Sequence, residues 1–167
     1  MIYEVEGDIL LTRAQLVVHN VNTFDPMNRG IARKLKDKYP AMAEAFHLWC
    51  GEAGAEPGDI WRWEASDHTQ MIALITQEGD EDPTRIRRPD KIALHRCLRR
   101  LAKEVTATRV KSLAMPRIAS GTFGLDWSEV HGMLQSQLGD LVIPIFVYVQ
   151  ELEGQVASEP GMCSLIH

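Results

Sequence analysis

The stretch MPRIASGTFGLDW, residues 115–127, decides how the chain folds. It opens as a short apolar run, breaks into small residues and two glycines, and ends on Asp-Trp, a helix-start signal. A strand that passes through a flexible loop into a helix is the repeating unit of α/β folds, and ligands bind where such loops leave the carboxyl ends of strands. Gly121 and Gly124 let backbone N–H groups point into open space, and a helix N-terminus behind them favours anions. On spacing alone the loop reads either as a phosphate cradle or as a plain strand-to-helix turn. It lacks the Gly-Lys-Ser/Thr end of a P-loop and has no GxGxxG pattern.

The rest of the chain supplies matching units. IYEVEG near the start alternates apolar and polar residues, and QLVVHNV (15–21) is a short β-branched run, so both predict strands. The Asn/Asp/Pro-rich loop NTFDPMN follows, and RGIARKLKDKYP then places Ile31, Leu35 and Tyr39 on one helical stripe. Residues 41–51 predict a second helix, and IWRWE and TQMIALIT two further strands. The charged run 77–90 reads as a surface loop. Ile92, Leu94, Cys97, Leu98, Leu101 and Val105 trace the longest helix, 91–107. SLAMPRI is a strand, residues 127–138 a helix, and VIPIFVYV the last strand. Helices alternating with apolar strands predict a three-layer α/β/α fold with a mixed, largely parallel central sheet.

With 167 residues, 45% hydrophobic and 25% charged, the composition is that of one globular domain, expected over residues 1–150. Residues 151–167 lose the pattern and read as a flexible tail. No apolar run approaches the roughly 20 residues needed to span a bilayer, and the N-terminus resembles no secretory signal, so a cytoplasmic location without a membrane partner is expected. Three scattered cysteines, Cys50, Cys97 and Cys163, argue against a disulfide framework or a zinc site, and no cofactor or metal is expected. A net charge of -5 gives no footprint for general binding to nucleic-acid backbone.

Three motifs, in order, resemble the macrodomain family, in the branch of the terminal ADP-ribose glycohydrolase and the DNA-ADP-ribosyl glycohydrolase antitoxins. VEGDIL is similar to the family's first-strand GD-(I/L) signature, VNTFDPMNRGIARKLKDKYP to its VNxxGxMGxGIAxxFKxxYP loop and helix, and LAMPRIASGTFGLDW to its (L/M)PxxGxGxxGLDW loop. The resemblance implies a cleft for ADP-ribose at the strand ends, with ADP-ribose or an ADP-ribosylated macromolecule as partner. Asp8 would accept from the adenine amino group, beside the Ile9 backbone; a Gly-Asp turn is the plain alternative. Asn22, Asn28, Arg29, Gly30 and Ile31 would border the distal ribose and phosphates, with Asn28 also suited to cap the helix after it. Ser120, Gly121, Thr122, Phe123 and Gly124 would wrap the diphosphate. Asp126, with Glu129 three residues on, reads as a helix cap.

The chain departs from that pattern where catalysis is concerned. Gln77 and Phe123 stand at positions matching a catalytic lysine and an aspartate of the hydrolases; glutamine can neither form a Schiff-base type adduct nor carry positive charge. Lys91 falls inside a helix, and Arg85, Arg87 and Arg88 could steer phosphate without acting as nucleophiles. Asp25 and His19 are the candidates for general-base work, each with a plain alternative as a turn residue and a core imidazole. Ala119, Ser120 and the DPMNRG loop replace small or glycine residues of the relatives. The readings left open are an ADP-ribose binder that removes ADP-ribose from protein or nucleic acid, an ADP-ribose 1''-phosphate phosphatase or other nucleotide-binding module, and an inactive scaffold.

Overall fold

The computed structural model of the chain describes residues 1–82, 84–85 and 87–162. Strand β1 (Ile2–Gly7) leads through a single 3-10 turn (Ile9–Leu11) to β2 (Leu16–Asn22). Two helices follow, α1 (Gly30–Lys38) and α2 (Pro40–Ala53), then β3 (Ile60–Glu64) and β4 (Gln70–Gln77). The long helix α3 (Lys91–Ala107) precedes β5 (Leu113–Pro116), α4 (Trp127–Leu138) and β6 (Ile145–Glu151).

The strands form one sheet in the order β1-β6-β5-β2-β4-β3. Every pairing is parallel except that of β3 with β4. The expected mixed, largely parallel sheet is therefore present, and parallel pairing puts the carboxyl ends of five strands on one edge. Both faces are covered, which is why β4 is apolar from Met71 to Ile75 and β2 opens with Leu16, Val17 and Val18 rather than with an alternating pattern. Val18, Ile72 and Leu74 pack with Leu98 of α3 and Leu134 of α4 on one face. Val17, Met71 and Ile75 pack with Leu35 of α1 and Phe46 of α2 on the other. Each such side chain, taken fully from water, contributes about 1.5–3 kcal/mol.

Helix ends follow different rules from those expected. The N-cap of α1 is Arg29, without a side-chain cap bond; Asn28 instead accepts a hydrogen bond from the Lys36 ammonium at 3.3 Å. Asp126 is the N-cap of α4 by backbone geometry, but its Oδ2 accepts from the Ser128 hydroxyl at 2.6 Å, so the expected reciprocal box with Glu129 does not form. Lys91 is the first residue of α3 and pairs with Glu129 at 2.8 Å.

The expected loose tail is not what residues 152–162 form. Ala157 and Glu159 are buried, and the segment packs with Leu10 and Ala14 on the face that carries α1 and α2. Sequence pattern could not announce this, because the segment has neither helical nor strand periodicity and is held by backbone bonds and one carboxylate. Cys163 and the rest of the expected tail lie outside the described residues. Cys50 and Cys97 are free thiols. Among the described residues no helix is long and apolar enough to cross a membrane, and no cluster of metal-ligating side chains occurs.

Candidate functional site

The carboxyl edge of the sheet gathers the sequence-predicted residues. Because β5 and β2 are neighbours, the loop after β2 (23–29) and the loop after β5 (117–126) leave the sheet side by side. Asn20 joins them: its Oδ1 accepts from the Ala119 N–H at 3.2 Å, and its amide donates to Thr76 at 3.3 Å. Three adjacent strand ends are thus tied by one side chain. Asn20 was passed over in the sequence; the signal was a polar side chain alternating with valines in an otherwise apolar strand.

In the second loop Ala119 takes a positive φ of 55°, which costs of order 1 kcal/mol of backbone strain. The turn is closed by Leu125 N–H donating to Ala119 at 2.8 Å and Gly124 N–H donating to Gly121 at 3.1 Å. A Cβ on Gly124 would overlap the backbone of Ser120, so glycine is required for that close approach. The N–H groups of Ser120, Thr122 and Phe123 make no hydrogen bond to the protein among the described residues, which leaves them open to solvent or a ligand. The Ser120 hydroxyl turns away and donates to Arg117 at 2.9 Å. Phe123 stays about half exposed, at 49%, rather than folding into the core.

The first loop uses its polar groups differently. Asn22 Oδ1 accepts from Phe24 N–H at 2.9 Å. Asp25 accepts from Asn22 N–H at 3.2 Å and Met27 N–H at 2.7 Å, and its carbonyl accepts from the His47 ring at 2.6 Å. The loop is a self-bonded turn, clamped to α2 and to Gly79, whose N–H donates to Thr23 at 3.0 Å. It ends in the uncapped start of α1, where Gly30 adopts φ 57° and Ile31 packs on the core. The positive end of the α1 dipole is therefore open on the rim.

Gln77 is register partner to Asn22, and its side-chain amide donates to the Arg87 carbonyl. In the loop beyond it Arg85 pairs with Asp80 and Asp82, and Arg87 with Glu78 and Asp80, while Arg88 makes no ion pair among the described residues. His19 does not reach the rim. It lies within β2 opposite Ala73, fully buried, with Nδ1 unpartnered, and burial lowers its pKa to about 4. The imidazole is thus neutral, a core residue rather than a base facing the strand ends.

At the other end of the rim, Asp8 follows β1 and caps the 3-10 turn. Its Oδ1 accepts from Leu10 N–H at 3.0 Å and its Oδ2 from Gly154 N–H at 2.9 Å. Burial pushes its pKa up, but the Gly154 and Leu10 N–H bonds and the Lys34 charge outweigh it, so the carboxyl titrates below its ordinary value. Lys34 in turn is held by Glu151 at 2.9 Å. Each Asp8 oxygen keeps a lone pair for a further donor. Ile9 is buried in the core, leaving only its backbone for contact.

The model for the Macro domain matches residues 18–134. A DNA ADP-ribosyl glycohydrolase from Thermus aquaticus is 26% identical over 152 residues, covering 89% of this chain and 41% of that protein. The chain thus spans about two fifths of the curated glycohydrolases it matches first. An ADP-ribose 1''-phosphate phosphatase from Candida albicans is 27% identical over 145 residues, covering 81% of this chain and 92% of that protein. Among solved structures, Thermosipho africanus DarTG in complex with ADP-ribose superposes with a TM-score of 0.77 at 26% identity, over 93% of this chain and 43% of that one. The family model spans most of the sheet and both rim loops, and the topology agrees with it: the chain belongs to the Macro domain family.

Proposed function

We propose that the carboxyl rim binds ADP-ribose and that the protein releases ADP-ribose from a modified macromolecule, ADP-ribosylated DNA being the first substrate class to test. The observation that carries this reading is the row of unpartnered N–H groups at Ser120, Thr122 and Phe123, set beside the open N-terminus of α1 on the adjacent strand. Preorganised donors of this kind favour a diphosphate over water, because their dipoles are already aimed when the anion arrives. Asp8, two strands away from β5, accepts from the exocyclic amine of the base in this arrangement. Asn22 and Gln77, at the ends of β2 and β4, face the distal ribose.

The hydrolytic step is the addition of water to the anomeric carbon with departure of the macromolecular group, which takes up a proton. Gln77 supplies neither a nucleophile nor a charge for it. Asp25 accepts one N–H of its own turn on each oxygen, and we assign it to holding the loop rather than to general-base work. The relatives named for DNA glycohydrolysis favour this substrate, whereas the phosphatase relative favours attack of water on a terminal 1''-phosphate.

One set of incubations separates these readings. ADP-ribosylated DNA, ADP-ribosylated protein and ADP-ribose 1''-phosphate are each supplied, with calorimetry against free ADP-ribose alongside. Binding together with release from DNA supports the proposal. Phosphate release alone moves the assignment to the phosphatase. Binding without turnover leaves a reader, and no heat at millimolar ADP-ribose leaves a scaffold.

A further inference from the structure

Residues 152–162 are bonded to the connection that carries Asp8, strand by strand and then through a single carboxylate. Leu152 N–H donates to the Gly7 carbonyl at 3.0 Å, and Asp8 N–H donates to the Gln155 carbonyl at 2.7 Å. Gly154 N–H reaches the Asp8 carboxylate. Ala157 then packs where a Cβ on Gly7 would stand, 2.8 Å from it. Beyond this, Glu159 is buried at 5% exposure. It receives the Arg13 N–H at 2.8 Å, the Thr12 hydroxyl at 2.5 Å and the Tyr148 phenol at 3.0 Å.

A buried carboxylate is costly unless several donors converge on it, and truncating it strands those donors. Among the described residues Glu159 has no basic partner within ion-pair distance, so three neutral donors do all the compensating. They come from two places, the connection after the 3-10 turn and the middle of β6. That arrangement fixes the segment in one position although it forms no helix or strand.

We propose that residues 152–162 form a strap latched by Glu159, and that the latch positions Asp8 for the base of the bound nucleotide; Glu159 is thus a positioning residue for the purine end of the site. The proposal rests on the reading of Asp8 as the acceptor for that base. The reason is the source of its bonds. The Gln155 carbonyl takes its N–H and the Gly154 N–H aims its Oδ2, both from the strap, whereas Leu10 and Leu11 supply only local turn bonds. With the latch open, Asp8 keeps the local pair alone and moves with its loop. The loop at 120–124 lies beyond β6 and β5 from β1 and touches none of these groups, so its affinity for phosphate is independent of the latch.

The test uses the full chain with Glu159→Ala, Glu159→Gln and Tyr148→Phe. Hydrogen exchange is followed over residues 8–13 and 152–162, and AMP, ADP-ribose and inorganic pyrophosphate are titrated by NMR. Glu159→Ala is expected to raise exchange in both segments together while α3 and β5 stay protected. It should weaken AMP and ADP-ribose by ~10-fold or more and leave pyrophosphate within about 2-fold. Glu159→Gln keeps one acceptor oxygen and should recover most of the loss. Tyr148→Phe keeps the core ring, removes one donor, and should give a smaller step in the same direction, which preserves the test if the alanine variant does not fold. Unchanged exchange over residues 8–13, or an equal loss for AMP and pyrophosphate, overturns the proposal. If the unmodified protein binds pyrophosphate but not AMP, the purine reading of Asp8 falls, and with it the ligand half of the proposal; the exchange data still decide whether the latch exists.

Discussion

The two loops that border the rim come from adjacent parallel strands, and they spend their hydrogen-bonding capacity in opposite ways. Residues 22–27 use most of it: Asn22 and Asp25 bond the backbone of their own turn, and the His47 ring fastens that turn to α2, while the N–H groups of Asn28 and Arg29, at the uncapped start of α1, have no partner among the described residues. Residues 120–124 leave it open, with Ser120, Thr122 and Phe123 N–H groups unpartnered among the described residues. The turn at 22–27 is a wall, and the second loop is a receptor. The difference teaches that carboxylates and amides near a cleft are not functional by proximity; what counts is which lone pairs and protons remain after the fold has used its share.

The strand under the first loop offers the largest effect. His19 titrates near 4 in the fold because burial disfavours its charged form, against about 6.5 when unfolded. Between those values the unfolded chain takes up a proton that the native state refuses, so stability is present above about pH 6.5 and lost as pH falls toward 4, by about 3 kcal/mol at the acid end. Urea unfolding at pH 7 and pH 4.5 measures this. His19→Leu should flatten the dependence; an equally steep loss in that variant would place its origin elsewhere.

Gly124→Ala attacks the receptor loop. Its new Cβ meets Ser120 backbone, and overpacking of about 2 kcal/mol should displace the free N–H groups, weaken ADP-ribose by up to ~30-fold and lower the melting temperature by ~4–8 °C. Asp25→Ala attacks the wall. It strands the N–H groups of Asn22 and Met27, costs between about 1 and 2 kcal/mol, and should lower the melting temperature by ~2–6 °C. Any turnover should fall without loss of a carboxylate limb in its pH profile; disappearance of such a limb would restore Asp25 as a general base. The smallest step is Gly121→Ala. Space is open around that residue, but its φ of 107° strains any side chain, and about 1 kcal/mol corresponds to ~5-fold in affinity by calorimetry. Equal sensitivity of both loops would erase the contrast between them.

Much of the fold was legible because burial on both faces leaves a direct trace: Met71 to Ile75 are apolar throughout and Leu16 to Val21 are broken only by His19 and Asn20, while α1 and α3 carry one-sided stripes. The glycine loop was legible by its composition. What the sequence hid were matters of partner choice. Asn28 was eligible to cap α1, but Lys36 holds its carboxamide; Asp126 was eligible for a capping box, but Ser128 is closer. His19 could be placed on its strand but not by depth, since the register that sets it opposite Ala73 is a property of β4. The strap was hidden entirely, because Glu159 bonds residues about 146 positions away and its flanking sequence has no period to reveal a partner.

The proposed function rests on the free N–H groups of Ser120, Thr122 and Phe123 clasping a diphosphate. It is tested most directly by assigning their amide resonances and titrating ADP-ribose. On binding, these three amides should move downfield together and saturate at one affinity, while the Met27 amide, already bonded to Asp25, moves little. Saturable binding that leaves the three amides unshifted would contradict it.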